Sequence, residues 1–207
     1  MKNIPLLLGT LIGTFLLVFV VAFMFSNKAG APVEQTRLLG DAHNATGSAQ
    51  PKVTIVEFSD LQCPACKAAQ PLVKKIVEAN PNEVKLVYRH FPLSQHKYAQ
   101  LAALAAETAG SMGKFWPYHD RLFEQQEVWG TETQENVLNI FKDFAKEFSI
   151  PPDLMEQSLK TKTFEQKVAQ DIADGTALGV NSTPTFFVNG QRTQTADLQS
   201  TVEKYLK

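Results

Sequence analysis

The alternation of apolar and polar positions divides the chain into three stretches. From Ile4 to Phe25, 22 consecutive residues carry no charge and are dominated by Leu, Val, Ile and Phe, enough to span a bilayer. Ser26 to Gln50 are rich in Ala, Gly, Ser, Asn and Gln without apolar periodicity, the pattern of a flexible tether. From Pro51 onward the pattern is that of a packed domain. Val53 to Phe58 is β-branched and apolar on both faces, which predicts a short central strand covered on both sides. Ser59 to Gln62 form the turn out of it. After Cys63, the residues Ala69, Leu72, Val73, Ile76 and Val77 recur at helical spacing, so a helix follows, with Pro71 expected to bend it. Asn80-Pro81-Asn82 ends that helix, and Val84 to Tyr88 alternates as a second strand, giving a right-handed β-α-β unit and a parallel sheet. Tyr98 to Lys160 carry several helical patterns with breaks at Gly110, Gly130 and Pro151-Pro152, and a further helix is expected from about Thr163 to Leu178. After Pro184, Thr185 to Val188 is strand-like, and Asn189-Gly190 is a two-residue hairpin signal leading to a return strand near Gln191 to Thr193. A last helix closes the chain, and no internal repeat is present.

Composition narrows the function classes. The 207 residues leave room for a membrane segment, a linker and one domain of about 150 residues. The net charge of −1, from 20 basic and 21 acidic residues in no long same-sign blocks, offers no footprint for nucleic acid or anionic lipid. Lys2 precedes the apolar run, which places the amino terminus inside and the remaining chain outside. Ala29-Gly30-Ala31 has the small-x-small pattern of a processing site, but the run is longer than a signal core and Pro32 follows it. An uncleaved anchor over residues 1–25 is therefore expected, with a linker over 26–50 and the folded domain over 51–207; a cleaved signal exports the same domain. No cysteine near the run offers lipidation instead.

Only two cysteines are present, three residues apart. That excludes a framework of structural disulfides and leaves a redox couple, half a metal site or an incidental pair. In Cys63-Pro64-Ala65-Cys66 the first sulfur is expected at a helix amino terminus, where unpaired amides and the macrodipole favour a thiolate. Cys63 is then the nucleophile, and Cys66, one turn further in, the more buried resolving partner. Pro64 suits the first helical turn. Zinc needs four ligands; His90 and His96 are the available complement, at the loose edge of the usual spacing, so a metal site is not expected. Glu57, inside an otherwise apolar strand, is costly to bury ionised. Its reading is a proton acceptor for Cys66, against a strand-end carboxylate that reaches water or a lysine. His90 reads as a hydrogen-bonded structural histidine, and Trp116, Tyr118, Phe123 and Trp129 as core of the helical region. Thr183-Pro184 precedes a strand, where proline marks an edge, a strand start or a cis peptide.

Val-Glu-Phe-Ser-Asp at 56–60, Cys-Pro-Ala-Cys at 63–66, Pro71, Arg-His-Phe-Pro at 89–92 and Val-Asn-Ser-Thr-Pro-Thr-Phe-Phe-Val-Asn-Gly at 180–190 together resemble the DsbA-like thioredoxin superfamily. The match covers nearly all of residues 51–207, and Phe115-Trp116 through Phe123 resembles the family's helical insertion. The resemblance implies an α/β thioredoxin-like fold, with an insertion at about 97–178 between the β-α-β half and a cis-proline hairpin half. It implies that Thr183-Pro184 is cis and packed beside Cys63, leaving the Thr183 backbone to pair with an extended substrate peptide. It further implies that Glu57 occupies the family's buried acid position, and that a DsbB-like or vitamin K epoxide reductase-like membrane partner re-oxidises the pair. No cofactor is implied.

One departure stands out: the best-known oxidants of this family carry His where this chain has Ala65, which suggests a less strongly oxidising couple. The expected activity is extracytoplasmic exchange of the Cys63–Cys66 disulfide with thiols of exported proteins, as oxidant. The alternatives are a reductase or isomerase fed by a membrane electron donor, and a non-catalytic chaperone or metal-carrier module.

Overall fold

The structure, a computed structural model, describes residues 35–207. The apolar run at 4–25 and the first part of the tether lie outside the described residues. Among those described, no helix is long and apolar enough to cross a membrane.

Two strands form the centre. β2, Val53–Ser59, and β3, Val84–His90, are parallel neighbours, joined by helix α2, Pro64–Ala79. β4, Thr185–Val188, pairs antiparallel with β2, and β5, Gln191–Thr193, pairs antiparallel with β4. The β4–β5 turn is Asn189-Gly190, both at positive φ, as a two-residue hairpin of this twist requires. Asn189 secures the turn by accepting from the Thr54 amide at Oδ1 and donating to the Lys52 carbonyl.

Strand alternation sorts the side chains. Val53, Ile55, Val84 and Leu86, with Phe186 and Val188, pack against Ala69, Val73 and Ile76 of α2 and against Leu198 and Val202 of the closing helix. On the same face, toward the carboxyl ends of β2 and β3, the pattern turns polar: Glu57 sits opposite Tyr88, and Ser59 opposite His90. The other face of the sheet lies under Gly175, where an added Cβ would stand 2.9 Å from both the Phe58 and Phe91 rings.

The helical insertion lies between β3 and β4, as expected from the sequence. It comprises α3, Ala99–Ser111; α4, Phe115–Glu124; α5, Gln126–Trp129; α6, Gln134–Glu147; α7, Pro152–Thr161; and α8, Glu165–Ala177. Tyr118, Phe123 and Trp129 are buried in its core and Trp116 packs against it. α9, Leu198–Leu206, closes the fold. α2 continues through Pro71 as one element, and α3 runs one residue beyond Gly110.

The tether reading requires correction over residues 35–50. Gln35–Leu39 form a short helix, α1, and Ala45–Gly47 form β1, an edge strand antiparallel to β3, so that the sheet order is β1-β3-β2-β4-β5. Folded structure thus precedes Pro51. This segment is held by backbone pairing, by Asn44 donating to Glu107 and Trp116 donating to the Ala45 carbonyl, and by one buried cation, none of which leaves an apolar period in the sequence. Arg89, 1% exposed, donates to the carbonyls of Arg37 and Leu38 and pairs with Asp171 at 2.8 Å and Asp174 at 2.7 Å on α8. It joins the segment preceding β1, the sheet and the end of the insertion.

Removing one member of a buried ion network leaves the others desolvated and unpaired. Arg89→Leu is therefore expected to lower unfolding free energy by about 3–5 kcal/mol, seen as a lower urea midpoint. Lys146→Ala, at an exposed pair with Asp143, is expected to leave the midpoint unchanged.

Candidate active site

The turn after β2 delivers Cys63 to the amino end of α2. Cys63 is the N-cap residue in extended backbone conformation, and Pro64 occupies the first helical turn. The Cys63 amide donates to the Asp60 carbonyl at 3.0 Å, closing the turn. Gln126 of α5 donates its side-chain amide to the Leu61 carbonyl at 2.8 Å and the Cys63 carbonyl at 3.1 Å, fixing the loop from the insertion side. Pro64 and Ala65 are exposed, whereas Cys63 is 6% and Cys66 0% exposed. Both thiols are free.

The two sulfurs differ in acidity for identifiable reasons. Cys63 is lowered from 9.0 to about 5, chiefly by the hydrogen bond from Cys66; burial opposes this, while the Thr183 side chain and the amides of Cys66 and Ala65 add to it. The two amides are the helix-terminus contribution expected at an N-cap, and it is smaller than that of the Cys66 thiol. Burial drives Cys66 the other way, far above the ordinary thiol value, and the hydrogen bond to Cys63 and the charge of Glu57 reinforce it.

Glu57 is fully buried on β2 and is raised from 4.5 to about 7 by desolvation, against the opposing effects of Ser59 and Gln70. Among the described residues no lysine pairs with it; Gln70 of α2 donates to its Oε1 at 3.2 Å. It therefore neither reaches water nor sits in a salt bridge.

Thr183-Pro184 is cis, and the Thr183 carbonyl lies 3.5 Å from Cys63 Sγ, which donates to it as a thiol. The structure thus brings Cys63, Cys66, Pro64, Ala65, Glu57, Thr183 and Pro184 together. His90 faces Glu107 at 3.0 Å in a buried pair, and His96 faces Asp60 at 2.6 Å. Glu107, despite burial, is held at about 2 by His90, Lys167 and Asn44, the structural setting expected for His90. Among the described residues no group of three or more His, Cys, Asp or Glu is placed to hold a metal ion.

The sequence places Asp60 in the turn without showing its contacts, and it gives no sign of Gln126. Asp60 donates its amide to Cys66 Sγ at 3.5 Å, and its carboxylate accepts from the amides of Gln62 and Leu93 and pairs with His96. Its position three residues before Cys63 was a usable signal, since Asp accepting from the amide two residues on is common turn chemistry. Gln126 lies 63 residues from Cys63, and nothing in its own neighbourhood announces that contact.

A parallel β2-α2-β3 unit with a dithiol at the helix tip, completed by an antiparallel hairpin entered through a cis proline, is thioredoxin-superfamily architecture. A thioredoxin family model matches residues 41–207, and the chain belongs to that family, as a DsbA-like member. Disulfide bond formation protein D of Bacillus subtilis is 30% identical over 166 residues, covering 75% of this chain and 73% of that protein. The crystal structure of oxidised BdbD from Bacillus subtilis superposes with a TM-score of 0.70 at 29% identity, over 80% of this chain and 94% of that one. A thioredoxin-like oxidoreductase from Silicibacter pomeroyi gives 0.67 at 28% identity, over 83% and 96%. The Na(+)/H(+) antiporter NhaA 1 of Salinispora arenicola is also similar, 35% identical over 153 residues; these cover 73% of this chain but 22% of that protein. The chain thus spans under a quarter of the length of the first curated relatives it matches.

Two pH effects follow. Alkylation of Cys63 is expected to reach half its maximal rate near pH 5, with Cys66 unreactive through neutrality; a midpoint near pH 9 would contradict the assigned acidity. Glu57 in the folded protein holds, between its ordinary 4.5 and about 7, a proton that the unfolded chain has lost. Stability therefore falls as pH rises through that window, and the loss is complete above it. Glu57→Gln is expected to raise stability above pH 7 by up to about 3 kcal/mol, and to change it little near pH 4, measured by urea unfolding.

Proposed function

We propose that the chain is a thiol-disulfide oxidoreductase working outside the cytoplasm, most effectively as an oxidant of exported proteins. The observation that carries this reading is the opposed acidity of the two sulfurs at the tip of α2. A substrate thiolate attacks Cys63 Sγ of the oxidised pair, and the S–S bond breaks toward Cys66, which takes up a proton. A second substrate thiol then attacks the substrate sulfur of the mixed disulfide, and Cys63 leaves as a thiolate. A leaving thiol of pKa about 5 favours that second step and stabilises the reduced enzyme, which is what makes a disulfide oxidising.

Glu57 serves as the proton donor to Cys66 in this direction and as the acceptor in the reverse. The Thr183 backbone, beside Cys63 and preceding the Pro184 ring, pairs with an extended substrate segment, as strand addition to a free edge does. Re-oxidation falls to a DsbB-like or vitamin K epoxide reductase-like membrane protein. The apolar run at 4–25 anchors the chain and places the domain on the extracytoplasmic side. Support for the oxidising direction also comes from the name of the Bacillus subtilis relative, a disulfide bond formation protein.

Equilibration with glutathione buffers tests the direction. The expected potential lies above the roughly −270 mV of a thioredoxin; a value at or below it would assign the chain to disulfide reduction. Ala65→His, by placing a cation beside the Cys63 thiolate, is expected to raise the potential further. Cys63→Ser is expected to abolish exchange, and folding or binding activity that survived it would favour a non-catalytic module.

A further inference from the structure

The function proposed above needs a proton to move between Cys66 and Glu57, yet no hydrogen bond joins them. Glu57 acts on the Cys66 sulfur only through its charge. Gln70 occupies Glu57 Oε1, which leaves Oε2 as the oxygen available to the proton. Oε2 is buried and, among the described residues, is not locked in a hydrogen bond; the same holds for Ser59 Oγ and Tyr88 Oη. These three atoms lie on one face of the sheet, Ser59 two residues after Glu57 on β2 and Tyr88 opposite Glu57 on β3. All three residues are 0–1% exposed.

Ser59 is placed to serve both ends. Its hydroxyl favours the ionised form of Glu57, of Cys66 and of Tyr88, and a hydroxyl both donates and accepts. We propose that Ser59 carries the proton between Cys66 Sγ and Glu57 Oε2, within a buried polar cluster that the Tyr88 hydroxyl borders. In the forward transfer the Cys66 S–H bond breaks as its proton passes to Ser59 Oγ, while the Ser59 proton passes to Glu57 Oε2. The products are a thiolate, an intact serine and a neutral carboxylic acid, with no change in net charge. The thiolate then attacks the Cys63 sulfur of a mixed disulfide, and the partner thiolate leaves. Gln70 lines an open groove of about 330 Å³ between α2 and α4, so Glu57 stands one side chain from bulk water for the return of the proton.

The titratable groups packed around the cluster are Cys66 from α2, Tyr88 and His90 from β3, Asp60 at the end of β2, and His119 of α4 against the Tyr88 ring. Tyr88 is raised well above 10 by burial and remains a neutral phenol. His119 is lowered by burial, and His90 faces away to Glu107. On β4 the apolar Phe186 stands opposite Glu57.

Because the inference rests on Glu57 as proton acceptor, the experiment separates the two. The reduced full chain is mixed with oxidised glutathione, and attack of Cys66 on the Cys63–glutathione mixed disulfide is followed by rapid acid quench from pH 5 to 9. It is run for the native chain, Ser59→Ala, Ser59→Thr, Glu57→Gln and the double variant Ser59→Ala/Glu57→Gln. The expected result is that Ser59→Ala slows the step on the order of 10²-fold and replaces the inflection near pH 7 by a continuous rise with pH. Ser59→Thr restores both rate and inflection. Glu57→Gln matches Ser59→Ala, and the double variant is no slower than either, since one path has been cut twice. Loss of the inflection in Glu57→Gln with Ser59→Ala unchanged would overturn the carrier while leaving Glu57 in place. Unchanged profiles in both would overturn the carrier together with the reading of Glu57. A slower Ser59→Ala that kept the native inflection would reduce Ser59 to packing and also overturn the proposal.

Discussion

The structure turns on the difference between two sulfurs one helical turn apart. Cys63 sits where α2 begins and receives the hydrogen bond of Cys66 together with the amides of Cys66 and Ala65; Cys66 sits where water no longer reaches. A helix amino terminus offers donors without acceptors, so an anion there replaces missing hydrogen bonds, whereas the same anion one turn deeper loses its hydration. Sequence distance between the thiols is small, and the environment separates them.

Much of the remaining architecture maintains that gradient. β2 and β3 provide an apolar floor under α2 that changes to polar residues only at their carboxyl ends, beneath Cys66. The insertion contributes Gln126, which holds the carbonyls of Leu61 and Cys63 in place, and its buried aromatics border both cysteines. The hairpin half brings the Thr183 carbonyl and side chain against Cys63 from the opposite side. Arg89 performs a comparable task for the fold, since its guanidinium joins α8, the sheet and the carbonyls preceding β1 at one buried point.

Burial of Glu57 is destabilising once its carboxyl must ionise, because desolvation raises it to about 7. A carboxyl in that position held near 7 exchanges protons at physiological pH, which an apolar replacement could not do. The neighbouring hydroxyls of Ser59 and Tyr88, buried beside it, add to that cost, because a buried polar group is destabilising unless it is hydrogen-bonded.

The order of elements was legible in the sequence, because strand alternation, the helical spacing after Cys63, and the Asn189-Gly190 turn are local rules that tertiary contacts only reinforced. The dithiol, the buried acid and the proline before β4 were legible for the same reason: each is a residue type out of keeping with its immediate neighbours. α1 and β1 were not, since a three-residue edge strand is held by the amides and carbonyls of β3 and by a distant arginine, and backbone pairing leaves no mark on composition. Nor was the contact of Gln126 with Cys63, nor the meeting of Ser59 with Tyr88. The sequence by itself determined which reactive groups are present and on which elements they stand. Only the tertiary structure decided their acidity and who stands beside them, because desolvation and hydrogen bonding depend on what packs around an atom, and those neighbours come from strands and helices far apart in the chain.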